Sequence, residues 1–182
     1  MSSISSIENK SIIKNFVSDF KQLTKVGLSL SVVFSSIAGY LLATELVDVF
    51  IIIQLAVGGY FMVGASNAFN QVIEKDTDAL MKRTMNRPLP TGRMTVSTAL
   101  TIAILFTVLG IAILYNINAK SALFGAISIF LYTSIYTPLK SVTPLTVFVG
   151  AIPGAIPFML GWVAATNQFG IEAGFLFLIQ FF

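Results

Sequence analysis

Three oxygen-bearing side chains recur at intervals of four residues near the middle of the chain. They are Asn70, Glu74 and Asp78. In a helix, which turns by about 100° per residue, these three fall within roughly an 80° arc of one face, and Asp76 points elsewhere. Mg²⁺ typically binds one or two protein carboxylates and completes its shell with water and phosphate oxygens. The spacing therefore predicts a magnesium site with these three residues as metal ligands and as the centre of the chemistry.

A basic, proline-punctuated segment follows the acidic row directly. It contains Arg83, Arg87 and Arg93, and the planar guanidinium fork matches phosphate oxygens well. Carboxylates, a metal and arginines beside an apolar cavity would suit a lipid diphosphate. Spacing alone leaves a second interpretation equally open, in which the carboxylates cap a helix and the charges are solvated, because an acidic triple at this spacing is common by chance.

A second polar cluster follows a later apolar stretch and runs from Tyr136 to Lys140 in the order Tyr-Thr-Pro-Leu-Lys. The phenol of Tyr136 and the ammonium of Lys140 could reach the same phosphate group. Tyrosine and lysine are also favoured at membrane interfaces. Taken by themselves, these residues favour interfacial anchoring over a phosphate contact.

The composition indicates that lipid is the solvent for most of the chain. Of 182 residues, 55% are hydrophobic and only 10% are charged, whereas soluble domains carry about 25% charged residues. The chain has no cysteine and no histidine, which excludes disulfides, thiolate chemistry and histidine as base or ligand. Any chemistry must use carboxylates, amides, hydroxyls and basic groups.

Charge-free stretches predict an all-α, multi-pass transmembrane helical bundle of five spans and part of a sixth, because a crossing needs about 20 apolar residues. The fifth stretch is expected to be one long or broken span, because it contains Pro144, Pro153 and Pro157. Residues 1–25 are interpreted as a partly helical cytoplasmic arm on the membrane surface, and residues 26–182 as the transmembrane domain. The six stretches are 26–43, 49–73, 94–119, 121–139, 141–171 and 173–182.

The distribution of basic residues predicts the orientation of the bundle. Ten of the 11 lysines and arginines lie in the arm, in the 74–93 loop or after the fourth span, and only Lys120 lies on the other side, with Glu45, Asp48 and Glu172. The amino terminus and the 74–93 loop are therefore expected to face the cytoplasm, in the inner (cell) membrane. That loop holds eight of the 19 charged residues, so it is the strongest candidate for a functional site.

In these residues the chain resembles the UbiA-type intramembrane prenyltransferases, and within them the branch that farnesylates haem. Three strings carry the resemblance in order along the chain, together with Gly92-Arg93, and they cover nearly everything from the first span onward. The strings are Asn70-x3-Glu74-x3-Asp78-x2-Met81-x-Arg83-Thr84-x2-Arg87-Pro88-Leu89, then Tyr136-Thr137-Pro138-Leu139-Lys140, then Gly150-x2-Pro153-Gly154-x2-Pro157-x3-Gly161-Trp162.

The resemblance implies a bundle of about nine spans whose cavity opens to the cytoplasm. It implies transfer of a farnesyl group from farnesyl diphosphate to a vinyl group of haem B, giving haem O and diphosphate, with Mg²⁺ as the cofactor. By this resemblance Asn70, Glu74 and Asp78 hold the metal. The diphosphate ligands would be Arg83, Arg87, Arg93, Tyr136 and Lys140.

The chain departs from the family pattern at several positions. Glu74 stands where an aspartate is usual, Ser141 where a second basic residue is frequent, and Thr146 where an asparagine is frequent. The family also has a second acidic motif after its sixth span. We expect the chain to end before that motif and to bind Mg²⁺-diphosphate only weakly, without turnover, when isolated.

Two other functions are weighed against haem farnesylation. One is prenylation of an aromatic quinone precursor such as 4-hydroxybenzoate, and the other is a transporter whose intramembrane polar groups mark an ion pathway. The acidic groups lie at one mouth rather than at mid-depth, which argues against transport. The expected partners are the two substrates and the lipid bilayer, with no nucleic acid, and the sequence does not indicate contact with haem A synthase or oxidase assembly proteins.

Overall fold

The computed structural model describes residues 14–182, which are helical apart from turns and short loops and contain no strand. The first part of the predicted arm, residues 1–13 with Lys10, lies outside the described residues. Its continuation, residues 14–24, is helix α1. The later helices are α2 (Val26–Ala43), α3 (Val49–Ile73), α4 (Lys75–Leu80), α5 (Val96–Ile117), α6 (Ala119–Phe130), α7 (Thr137–Leu139), α8 (Thr146–Thr166) and α9 (Ile171–Phe181), with a π-helix at Leu131–Tyr136 between α6 and α7.

Five helical segments of the described chain are long and apolar enough to cross a membrane. They are α2, α3, α5, the continuous segment Ala119–Leu139, and α8. Their lengths of 18 to 25 residues match the roughly 20 residues that a crossing requires. The all-helical fold with five spans is confirmed, and α9 is a shorter apolar helix of 11 residues.

The fifth apolar stretch contains one helix of ordinary length rather than a long or broken one. Helix α8 has 21 residues and passes through Pro153 and Pro157 without interruption. Because proline lacks an N–H, Pro157 cannot donate to the carbonyl four residues before it, which is that of Pro153. The hydroxyl of Ser128 donates to this carbonyl at 3.3 Å, so a neighbouring helix satisfies the group that the proline leaves free.

Small residues let the spans approach closely, as is typical where lipid removes most of the hydrophobic drive for helix association. A Cβ on Gly161 of α8 would lie 1.9 Å from the carbonyl oxygen of Ser36 in α2. A Cβ on Gly39 of α2 would lie 2.0 Å from the carbonyl oxygen of Phe158. The backbones of α2 and α8 therefore touch at these two glycines, and α3 packs extensively along α5.

The outward faces of the spans expose large apolar side chains, among them Phe34 (73% exposed) and Val147 (74%). Faces of this kind suit contact with acyl chains. With the apolar composition, they identify a multi-pass membrane protein.

Most residues of the segment between α4 and α5 are exposed, but a few buried side chains anchor it to the bundle. Its residues Thr84, Leu89 and Met94 are at most 5% exposed. Leu89 and Met94 share an apolar cluster with Leu23 of α1 and Ala68 of α3. The loop and helix α1 therefore pack against the end of the bundle where α3 terminates.

Candidate diphosphate-binding site

The acidic row keeps its helical register across the end of α3. The backbone N–H of Glu74 donates to the carbonyl of Asn70 at 2.9 Å, and that of Asp78 to the carbonyl of Glu74 at 2.7 Å. The three side chains consequently line one cavity. Asp76 is exposed and lies outside the cavity lining, so the structure brings together the three residues that the four-residue spacing grouped.

The cavity has a volume of about 680 Å³ and lies at one end of the bundle. Its walls are the α1–α2 junction, the end of α3 with α4, the loop after α4, and the segment that ends at Lys140. The predicted residues that line it are Asn70, Glu74, Asp78, Arg83, Arg87, Tyr136 and Lys140.

Two ion pairs join the predicted metal ligands to the predicted phosphate ligands. Arg87 Nη1 lies 2.6 Å from Asp78 Oδ2, with only 4% of the Asp78 side chain exposed. Lys140 Nζ lies 3.1 Å from Glu74 Oε1. The Nδ2 atom of Asn70 lies 3.5 Å from Thr137 Oγ1. Each of these carboxylates is thus in direct contact with a basic side chain. A bound metal ion could replace the basic group as the partner of the carboxylate, and a polyanion could replace the carboxylate as the partner of the basic group.

A π-helix shapes the wall opposite the acidic row. Pro138 cannot donate a hydrogen bond to the carbonyl four residues earlier, and the helix before it widens into the π register. The N–H of Thr137 donates to the carbonyl of Tyr132, five residues earlier. The rings of Tyr132 and Tyr136 both line the cavity and have centroids 5.2 Å apart. π-helical turns are frequent at functional sites.

The structure does not bring Arg93 into the cavity lining. Its Nε donates to Asp19 Oδ1 at 2.9 Å, and its Nη2 donates to the carbonyl of Asn86 at 2.9 Å and to Gln22 Oε1 at 3.4 Å. Arg93 thus ties α1 to the loop after α4. Its assignment as a diphosphate ligand stays a prediction that this geometry does not support.

Among the lining residues that sequence reasoning did not assign to the site are Lys25 and Tyr132. Lys25 is the last cation before the first span, a position that could have marked it as a cavity residue. Tyr132 precedes Tyr136 by four residues, a spacing that places both on one face of a helix. No sequence pattern indicated the π-helical turn that presents their rings to the cavity.

The cavity carries a surplus of positive charge. Its described lining includes four basic side chains, Lys25, Arg83, Arg87 and Lys140, and two acidic ones, Glu74 and Asp78. Burial and the positive charges of Arg87 and Lys140 together lower the pKa of Lys25 to about 8, against the opposing effect of Glu74 and Asp78. A multivalent anion would relieve this surplus.

Apolar space continues from the cavity into the bundle. A second cavity of about 200 Å³ shares Leu28 and Tyr132 with the first. A third of about 50 Å³ shares Val32, Val63 and three further residues with the second. Phosphate oxygens and an apolar chain could therefore occupy adjoining spaces, with Tyr132 at their boundary.

The donor set fits a hard divalent cation. Asn70, Glu74 and Asp78 place one amide oxygen and two carboxylates in the cavity. Protein-bound Mg²⁺ usually has one or two carboxylate ligands and completes its shell with water and phosphate oxygens. Residues 14–182 hold no cluster of three or more histidine, cysteine, aspartate or glutamate side chains suited to a metal. Substrate phosphate and water would have to supply the remaining ligands.

Together, the fold and the site define a multi-pass helical membrane protein with a polar cavity, rich in basic side chains, at one end of the bundle. The model of the UbiA prenyltransferase family matches residues 32–182. The chain belongs to this family.

Relatives named protoheme IX farnesyltransferase match nearly the whole chain. The one from Flavobacterium psychrophilum is 65% identical over 98% of this chain and 61% of its own length. The one from Flavobacterium johnsoniae is 67% identical over 96% of this chain and 59% of its own length. The chain thus spans about three fifths of the length of these curated relatives.

Solved structures with the same fold are more distant in sequence. A digeranylgeranylglyceryl phosphate synthase superimposes with a TM-score of 0.82 at 19% identity, over 91% of this chain and 58% of that one. A UbiA homologue from Archaeoglobus fulgidus, bound to DMAPP and Mg²⁺, gives a TM-score of 0.72 at 18% identity, over 90% and 60%. At these identities the likeness extends to the fold alone.

Proposed function

We propose that the protein to which these residues belong transfers a farnesyl group from farnesyl diphosphate to a vinyl group of haem B. Diphosphate leaves, the new C–C bond forms at the terminal vinyl carbon, and water then adds to the cation left on the other vinyl carbon and loses a proton, giving haem O. One observation carries the proposal: carboxylates, an amide and basic side chains line one cavity that continues into apolar space. This pairing of polar and apolar spaces suits a prenyl diphosphate. The names of the relatives at 65% and 67% identity support haem as the acceptor.

In this proposal the cavity residues stabilise the leaving group. Asn70, Glu74 and Asp78 would hold Mg²⁺, which when bound would neutralise charge that develops on the diphosphate. Arg83, Arg87 and Lys140 would bind phosphate oxygens, and the Tyr136 hydroxyl would donate to the same group. Stabilising the departing charge favours breaking the allylic C–O bond.

The apolar cavities would receive the farnesyl chain and keep water away from the reacting carbon. Leu28 and Tyr132 line both the polar cavity and the first apolar cavity. The bond that breaks joins the polar and apolar parts of the substrate, so it would lie at this boundary. Excluding water there prevents capture of an allylic cation before the acceptor reacts.

The orientation proposed for the protein has the amino-terminal arm and the 74–93 loop on the cytoplasmic side of the inner membrane. The positive-inside distribution of lysine and arginine supports it. Because the relatives named protoheme IX farnesyltransferase are longer than this chain, we expect turnover only from a chain of their length. The 182 residues alone are expected to bind Mg²⁺-diphosphate weakly.

The test uses membranes that carry the longest reading frame containing these residues, supplied with haem B, farnesyl diphosphate and Mg²⁺. Haem O, detected by mass spectrometry, is the expected product, and Asp78→Asn should abolish it. Absence of haem O, or full activity of Asp78→Asn, contradicts the proposal. A competition arm with 4-hydroxybenzoate separates haem from a quinone precursor as the acceptor.

A further inference from the structure

Lys25 occupies an unusual backbone position at the junction of α1 and α2. Its φ of 47° and ψ of 59° lie in the left-handed region. This conformation is disfavoured for residues with a Cβ, and such residues cluster at functional sites where the surrounding structure holds them. The contacts that hold this turn therefore indicate whether the Lys25 side chain has a functional role.

Two buried amides on α3 hold the turn in place. Gln71 Nε2 donates to the carbonyls of Gln22 at 2.9 Å and Leu23 at 3.0 Å. Asn67 Nδ2 donates to the carbonyl of Thr24 at 3.3 Å. These amides satisfy carbonyls at the end of α1 that have no partner within the helix.

The same stretch of α3 carries the acidic row. Asn67 and Gln71 alternate in sequence with Asn70 and Glu74, so one helix both fixes the turn and lines the cavity. The position of Lys25 relative to the acidic row is thus set by direct hydrogen bonds rather than by a flexible arm. Lys25 therefore lines the cavity from the α1–α2 junction, in a fixed position.

The charges that face Lys25 make a bound anion the natural partner for its ammonium. Arg87 and Lys140 repel it, while Glu74 and Asp78 attract it. Both carboxylates are already paired, Asp78 with Arg87 and Glu74 with Lys140. Within the described residues, Lys25 forms no ion pair of its own.

We propose that Lys25 is a further diphosphate-binding residue, which contacts phosphate oxygens of the substrate from the α1–α2 junction. The proposal rests on the proposed function, because it requires that the cavity receive a prenyl diphosphate. It adds a ligand from the amino-terminal arm to those carried by the loop after α4 and by the segment that ends at Lys140.

The first experiment uses the detergent-solubilised product of the longest reading frame that contains these residues. Calorimetry measures its binding of Mg²⁺ with farnesyl diphosphate and, separately, with inorganic diphosphate. Lys25→Asn removes the cation but keeps a residue that tolerates the left-handed region. It should weaken binding by about tenfold or more, as expected for loss of a hydrogen bond to a charged group. Lys25→Arg should retain most of the affinity.

Lys21→Asn is the matched control, because it removes the same charge from the same arm at an exposed position outside the cavity lining. It should change the dissociation constant by less than about twofold, as expected for a screened surface charge. Equal binding by Lys25→Asn and the wild type overturns the inference alone. Failure of the wild type to bind either diphosphate overturns the proposed function as well.

A second measurement needs no variant and so does not depend on whether Lys25→Asn folds. Brief acetylation of the wild-type protein at pH 8, followed by peptide mass spectrometry, compares Lys25 with Lys21 in the presence and absence of Mg²⁺-diphosphate. Protection of Lys25 but not of Lys21 supports the inference. Equal labelling of Lys25 with and without Mg²⁺-diphosphate contradicts it.

Discussion

Arg87 and Asp78 form the shortest ion pair of the cavity, with Nη1 and Oδ2 separated by 2.6 Å and both side chains largely buried. The proposed function assigns Arg87 to phosphate and Asp78 to the metal. Binding of substrate must then exchange this protein–protein contact for two contacts with the ligand. The ion pair holds both groups close to their working positions before the substrate arrives.

Asp78→Asn should weaken Mg²⁺-dependent binding of farnesyl diphosphate by at least about tenfold, because contacts to charged groups contribute about 1.5–3 kcal/mol. Titration calorimetry with and without Mg²⁺ checks this. Asp76→Asn is the control, since Asp76 is exposed and lies outside the cavity lining. Equal loss in both variants would show that only the net charge of the segment matters.

Asp19→Asn and Arg93→Gln should both destabilise the contact between α1 and the loop after α4, because the two residues form the ion pair that joins these segments. Arg93→Gln should have the larger effect, since it also removes the bonds to Asn86 and Gln22. Both should lower the midpoint of thermal unfolding in detergent, by an amount that corresponds to about 1 kcal/mol for a partly exposed pair. If Arg93 were a direct diphosphate ligand, Arg93→Gln would weaken diphosphate binding much more than Asp19→Asn. Comparison of the two dissociation constants decides between these roles.

Binding of diphosphate should take up a proton at pH 8.5 but not at pH 6.5. Burial, together with the positive charges of Arg87 and Lys140, lowers the pKa of Lys25 to about 8 in the free protein, so the ammonium is largely deprotonated at pH 8.5. A bound anion favours the charged form and raises the pKa again, so affinity should fall as pH rises above 8. Calorimetry in two buffers of different ionisation enthalpy measures the uptake, which Lys25→Asn should abolish.

Gly150→Ala should lower turnover by displacing Tyr136. A Cβ at Gly150 would lie 2.5 Å from Cε2 of the Tyr136 ring, so the ring must move. We expect at least about a tenfold loss of kcat, since small misplacements of positioning groups can reduce rates by up to a hundredfold. Gly174→Ala is the control, because a Cβ there meets nothing within 4 Å. Unchanged kcat in Gly150→Ala would show that the position of Tyr136 does not limit turnover.

Gly161→Ala should destabilise the bundle rather than the site. Its Cβ would lie 1.9 Å from the backbone oxygen of Ser36, and backbone cannot rotate away as a side chain can. Forcing α2 and α8 apart should cost about 1–3 kcal/mol, the usual range for overpacking. Thermal unfolding in detergent measures it, and a variant as stable as the wild type would contradict the observed contact.

The sequence by itself determined the spans and the acidic row, because both depend on local properties. Helix α2 begins and ends at the predicted residues, as does α3, since hydropathy and helical periodicity are read along a continuous segment. The same periodicity grouped Asn70, Glu74 and Asp78 and separated Asp76 from them. The prolines of the fifth stretch misled the prediction, because the carbonyl that Pro157 leaves free is satisfied by Ser128, a residue of another helix.

Only the tertiary structure decided which distant residues share the cavity. Arg93 pairs with Asp19, 74 positions away, and is drawn to the arm, whereas Lys140 reaches Glu74 across 66 positions. Lys25 enters the cavity because Asn67 and Gln71 hold a strained turn, and Tyr132 enters it because a π-helix widens the wall. Such placements follow from how helices pack against one another, which residue spacing within one segment does not specify.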